Sequence, residues 1–242
     1  MDAWFYNEYY QAVLSSKAHS QFCERVYGKD LSQHGMADME QIEDLLDELE
    51  IDRSMSVLDF GCGDGQISEY IADRTKATVL GTDIAKRAID IAQERTKDKR
   101  ERISFCWSDI EKGQGDIPQG KFDRITAIDS LNFASDQRKT FNILYDYLKP
   151  DGRIAVFHIC PPDIYAEETI LGRLLEDRKL SYCIWDFSAE NVQHWKKKKQ
   201  VLLELENRFY EEGNEFLFKN RITECYGLES YHRYLFVVYA PS

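Results

Sequence analysis

No apolar run in the 242 residues approaches the length that spans a bilayer, and no apolar leader opens the chain. These absences predict a soluble, cytoplasmic protein with no membrane partner. The six cysteines, at positions 23, 62, 106, 160, 183 and 225, form no C-x-x-C pair and no even framework. That excludes a disulfide scaffold and predicts free thiols in a reducing compartment. The histidines and acids lack metal-ligand spacing, so no metal site is expected. Neither a G-x-S-x-G turn nor a Cys–His context points to hydrolysis. Positive charge is also short: 31 Lys and Arg against 43 Asp and Glu leave a formal net charge of -12. Such a surface repels phosphate backbones, so no nucleic-acid partner is expected. The one basic run, Lys196-Lys197-Lys198-Lys199, falls within the helical pattern Val192, Trp195, Leu202, Leu205 and Phe209, where it reads as a solvated face.

What is present is an apolar strand that runs into a glycine-rich turn, Val57-Leu58-Asp59-Phe60-Gly61-Cys62-Gly63-Asp64-Gly65. Glycines at alternate positions let the backbone turn tightly and approach a ligand without Cβ clashes. Ile67 to Arg74 reads as a helix, and Ala77 to Asp83 as a second strand whose terminal carboxylate is placed to accept both hydroxyls of a ribose. A dinucleotide site uses G-x-G-x-x-G and a phosphate on a helix N-terminus. Here the spacing is G-x-G-x-G, and Asp64 inside the loop disfavours an anion and suits an ammonium or a sulfonium.

These residues resemble the first motif of the class I S-adenosylmethionine (SAM) dependent methyltransferases. The resemblance extends past the loop. Asp83-Ile84 falls where that family keeps its ribose carboxylate, and Asp109-Ile110, after the strand Ile103 to Trp107, where it sets a carboxylate against the adenine amino group. Phe122 to Asp129 resembles the fourth strand, and Leu148-Lys149-Pro150-Asp151-Gly152 the turn before the fifth, with Asp151 in place of the usual glycine. The resemblance implies SAM as cofactor, held by Asp59, Gly61, Cys62, Gly63, Gly65, Asp83, Ile84, Asp109, Ile110 and Asp129. It also implies an aromatic and His-Gly segment upstream of the first strand that closes over cofactor and acceptor. Tyr27-Gly28 to His34-Gly35-Met36 matches it and adds Tyr27.

The alternation of strand and helix predicts an α/β protein, a Rossmann-like, doubly wound, seven-stranded, mostly parallel sheet. An N-terminal helical lid over residues 1–50, opening on Trp4, Phe5, Tyr6, Tyr9 and Tyr10, precedes a core over 51–242. A helical insertion at about 163–215 follows the fifth strand. Both additions flank the edge where ligands bind in open α/β sheets.

Methyl transfer from a sulfonium needs acceptor and methyl brought together, water excluded and, for some acceptors, a proton removed. Candidate bases are His34, His158 and Asp129, each expected near the open end of the sheet. Asp129-Ser130-Leu131-Asn132-Phe133 is not the (D/N/S)PP(Y/F/W) motif of enzymes that methylate base amino groups, which leaves a small-molecule acceptor as the expected partner. A nucleoside or RNA methyltransferase and a SAM-binding protein without turnover stay open as alternatives. So do a monomer and a homodimer.

Overall fold

The computed structural model describes residues 3–115, 117 and 122–242, with side chains from Phe5 onward, so Trp4 of the aromatic cluster lies outside the described side chains. Ser56–Phe60 (β1) is buried through its middle, Val57 and Leu58 as apolar residues of a central strand and Asp59 with hydrogen-bond partners. It pairs in parallel with Thr78–Asp83 (β2) on one side and Phe122–Ala127 (β5) on the other. Ile103–Asp109 (β3) continues beyond β2 and Leu148–Cys160 (β6) beyond β5, again in parallel. His232–Tyr239 (β8) then pairs antiparallel with β6, and Ser181–Asp186 (β7) antiparallel with β8.

At the opposite edge a two-residue strand, Gln114–Gly115 (β4), pairs antiparallel with the end of β3. Among the described residues the sheet therefore has eight strands, ordered β4-β3-β2-β1-β5-β6-β8-β7, where seven were expected. The extra one is this short hairpin, beyond the reach of any hydrophobic period. A second correction concerns the stretch 163–215, expected to be helical but containing β7. Tyr182 and Ile184 face one side of the sheet and Cys183 and Trp185 the other, a period of two that no helix satisfies.

Met39–Leu49 (α3), Gln66–Thr75 (α4) and Lys86–Arg95 (α5) bury their apolar stripes on one face of the sheet. Gln137–Asp146 (α6) and Ile170–Asp177 (α7) cover the other. A third core lies apart from both faces. Ala3–Val13 (α1) and Lys17–Tyr27 (α2) pack there with Ser188–Glu211 (α8) and Glu215–Glu224 (α9), around Phe22, Trp195, Leu202 and Phe209. The N-terminal helices thus divide: α3 belongs to the sheet, while α1 and α2 join the C-terminal helices. The lysine run divides too. Lys196 and Lys197 are exposed, but Lys198 is fully buried, its ammonium 2.8 Å from Glu224 and 4.3 Å from the Trp195 ring centre. Among the described residues no helix is long and apolar enough to cross a membrane, and no disulfide joins the cysteines.

Gly65 starts α4 at φ +76°, and a Cβ there would overlap the Phe105 ring of β3 and approach Ala92 at 3.0 Å. Gly65→Ala combines left-handed strain of about 1–2 kcal/mol with overpacking of about 1–3 kcal/mol. The urea midpoint of the variant should drop accordingly, and an unchanged midpoint would contradict this packing.

Candidate functional site

The chain leaves β1 for β2 and β3, then returns to the other side of β1 as β5, so the carboxyl ends of β1 and β5 border a crevice. The glycine loop leaves β1 there, with the N–H groups of Gly61 and Cys62 bonded to the Thr82 carbonyl at 2.8 and 3.0 Å. Gly63 N–H donates to one oxygen of Asp83 at 2.9 Å, and Ala85 N–H to the other at 2.7 Å. Gly63 has φ +56°, and a Cβ on it would overlap the Tyr10 hydroxyl, so the loop and α1 meet with no room for a side chain.

The crevice has two lobes. The larger, about 690 Å³, is bordered by the loop, by Tyr6 and Tyr10 of α1, by the segment Leu31 to Ala37, and by Asp129 and Phe133. The smaller, about 440 Å³, lies against Phe60, Ile84, Asp109 and Ile110. Gly61, Asp83 and Ser130 border both lobes, which places the Asp83 carboxylate at their junction. Burial raises the Asp83 carboxyl above its ordinary range, against the partial offset of the Ala85 and Gly63 N–H groups. Asp64 is likewise raised by burial, offset by Arg95.

Asp129 answers to different partners. Its two oxygens meet the guanidinium of Arg233 at 2.5 and 3.2 Å, and one also accepts from Met36 N–H at 2.6 Å and Ala37 N–H at 3.0 Å. Burial alone would raise this carboxyl, but Arg233 and the two amides outweigh it and hold it below the ordinary range. A carboxylate so occupied is a poor proton acceptor, and the geometry gives Asp129 an anchoring role in place of the expected base.

His34 borders the larger lobe, ringed by Tyr6 and Tyr9 with centroids at 5.4 and 4.6 Å. Burial, only partly countered by Glu224, lowers its imidazole to about 4, so the ring is neutral at physiological pH. His158 is placed elsewhere. Even-numbered residues of β6 face α6 and α7, and His158 packs there against Phe236, outside both lobes. Three further expected cofactor contacts also lie off the crevice. Asp59 accepts from Ser68 at 2.5 Å and Thr126 at 2.8 Å inside the sheet. Gly65 packs on Phe105. Tyr27 is buried and donates its hydroxyl to the Gly35 carbonyl at 2.9 Å, which supports the wall from behind.

The residues that hold this wall went unrecognised in the sequence. Arg221 of α9, fully buried, donates to the carbonyls of Gln33 and His34 and to the Tyr9 hydroxyl. Glu224, next to Lys198 and Arg221, is held down to about 2 by those cations despite its burial. The available signal was a charge within an apolar pattern: Arg221 follows Leu217 and Phe218 at helical spacing, and Arg233 interrupts the strand leading to Tyr234-Leu235-Phe236.

A family model described as a methyltransferase domain matches residues 51–209. The chain belongs to that family. It is 31% identical over 121 residues to Methyltransferase GfsG of Streptomyces halstedii, a match covering 48% of this chain and 42% of that protein. It is 28% identical over 137 residues to Phosphoethanolamine N-methyltransferase 3 of Arabidopsis thaliana, covering 57% of this chain and 27% of that one. The matched stretch thus spans less than half the length of either relative. A solved SAM-dependent methyltransferase from Thiobacillus denitrificans, in complex with S-adenosylhomocysteine, superposes with a TM-score of 0.62 at 16% identity over 91% of this chain and 97% of that one. Phosphoethanolamine N-methyltransferase 2 of Haemonchus contortus superposes with a TM-score of 0.69 at 16% identity, over 98% of this chain and 60% of that one. These identities show the fold, which is that of the class I SAM-dependent methyltransferases, and SAM is the cofactor of the family.

Four buried histidines weaken the fold in acid, against a partial offset from Asp59, Asp64 and Asp83, whose carboxyls, raised by burial, take up protons in the folded chain first. Burial lowers His34 and His158 to about 4, His194 to about 3, and His19 well below the ordinary 6.5. The unfolded chain therefore takes up protons that the folded one refuses as pH falls below 6.5. Stability should be full above about pH 6.5 and decline toward pH 4, where the depressed Asp129 and Glu224 begin to add their own loss. Urea midpoints at pH 7.5 and pH 5 check this. His158→Phe, which loses one of the four groups, should show a shallower decline than the wild type, and an equal decline would refute the assignment of His158.

Proposed function

We propose that this domain transfers the methyl group of SAM to a small-molecule acceptor. The observation that carries the reading is the division of the crevice at Asp83. The smaller lobe holds an acid, Asp109, and an apolar surface for a nucleoside base, and the larger lobe is walled by α1 and the segment 31–37 on the acceptor side.

The residues present fit SAM. The loop at Gly61 to Gly63 and the carboxylate of Asp83 would hold the sugar and amino-acid part, while Ile84, Asp109 and Ile110 would hold the adenine. Asp83 already accepts one amide on each oxygen, and a carboxylate has room for more. SAM supplies an electrophilic methyl on a sulfonium when bound. The protein's part is to orient the acceptor and to exclude water, for which the aromatic wall of Tyr6, Tyr10 and Phe133 is suited. His34, neutral and beside the same lobe, would take a hydrogen bond from the acceptor. His34 is held near 4 and Asp129 below its ordinary range, so neither is suited to take a proton, and the reading places catalysis chiefly in proximity.

The test is calorimetry with SAM and S-adenosylhomocysteine. Asp83→Ala removes charge-assisted bonds worth roughly 1.5 to 3 kcal/mol, so affinity should fall about 10- to 150-fold. Unchanged affinity in a variant with a native circular dichroism spectrum would remove the cofactor assignment.

A further inference from the structure

One edge of the sheet is left open. β7 ends the strand order beyond β8, and it holds six residues against the two of β4 at the other edge. The Phe187 N–H donates to the Arg233 carbonyl at 2.8 Å, which fixes the phase of this pair. Ser181, Cys183 and Trp185 therefore turn their backbone groups toward β8, and Tyr182, Ile184 and Asp186 turn theirs outward. Among the described residues no backbone group meets these outward donors and acceptors.

Open edges invite a further strand, and natural sheets guard against this with a lysine, a proline or a bulge in the edge strand. β7 has none of these. Its sequence is Ser-Tyr-Cys-Ile-Trp-Asp, and its register against β8 runs unbroken from Ser181 to Asp186. Tyr182, Cys183, Ile184 and Trp185 are all half-buried, so each face of the edge offers partly uncovered apolar surface.

The ends of the strand carry opposite charges. Lys179 stands just before it and Asp186 closes it, both exposed. Asp186 accepts from the Ser188 N–H at 2.8 Å, and among the described residues neither side chain is in an ion pair. The adjacent charges are already engaged, Asp177 with Arg138 at 2.8 Å and Arg178 with Asn142 at 2.6 Å. A copy of the same strand laid antiparallel puts the basic end of each beside the acidic end of the other. A parallel copy would put like charges together.

We infer that β7 is the contact of a two-fold homodimer, in which the β7 strands of two copies pair antiparallel about Cys183 and join both sheets into one. In that register Tyr182 of each copy lies opposite Ile184 of the other and exchanges both N–H···O bonds with it, an aromatic residue against a β-branched one. The two-fold axis reverses strand direction, so the two crevices open at opposite ends of the joined sheet. A six-residue edge gives a small interface, which sets the expected dissociation constant in the micromolar range.

Sedimentation velocity at low ionic strength, from about 1 to 200 μM protein, reads the monomer–dimer equilibrium. Lys179→Asp and Asp186→Lys each set like charges together at both symmetric contacts. Either should weaken the dimer about 2- to 30-fold, and the double variant should restore it. Ile184→Pro removes an outward N–H that the fold does not use and should abolish dimerisation. If that variant does not fold, the two charge reversals, at exposed positions, decide the matter alone. Monomers throughout the range, a dimer indifferent to the single reversals, a double variant no tighter than the single ones, or a folded Ile184→Pro that still dimerises overturns the inference.

Discussion

The ion pair between Asp129 and Arg233 is the constraint on which the site depends. Asp129 stands two residues past the end of β5 in a left-handed conformation, φ +53°, and Arg233 comes from β8, two strands away. Breaking a pair buried this deeply leaves an uncompensated charge, which is strongly destabilising. The pair therefore fixes the Asp129 carboxylate in one orientation, and that orientation presents an oxygen to the amides of Met36 and Ala37. A wall segment with no regular secondary structure is held by a charge that the sheet itself has immobilised.

The same segment is gripped from its other side. Arg221 binds the carbonyls of Gln33 and His34, and Tyr27 binds that of Gly35, so donors and acceptors of consecutive residues are matched by side chains from α2, α9 and β5. This satisfies backbone groups that a buried loop would otherwise leave without partners. It also recasts the expected lid over residues 27–36 as a fastened wall, because each of these bonds would have to break for it to swing. Entry to the larger lobe is then better served by the exposed Phe133 side than by the wall.

The strand ends that border the crevice were legible in the sequence because their determinants are local. The glycine loop follows β1 directly and Asp83 and Asp109 end β2 and β3, and a strand end is readable from hydrophobic pattern and turn residues. The wall opposite them was not. His158 stands one residue from Ile159 on a strand whose alternate residues face opposite ways, so its position along the chain gave no face. Asp129 read as a free carboxylate because its partner is 104 residues away. Lys198 read as solvated because only the packing of α9 across α8 shows which lysine of the run turns inward. Arg221 and Arg233 were visible as charges in apolar patterns, a signal that marks burial without naming the partner.

The wall joins parts of the chain that are far apart in synthesis. Arg221 meets His34 across 187 residues and Gln33 across 188, and both α9 and β8 lie beyond the stretch matched by the family model. Contacts of such separation carry the largest loop-closure entropy and form late. On a ribosome, the glycine loop and Asp83 can fold against their strands while residues 210–242 are still unmade. The larger lobe cannot, so a nascent or C-terminally clipped chain would hold the glycine loop with no fastened wall opposite it.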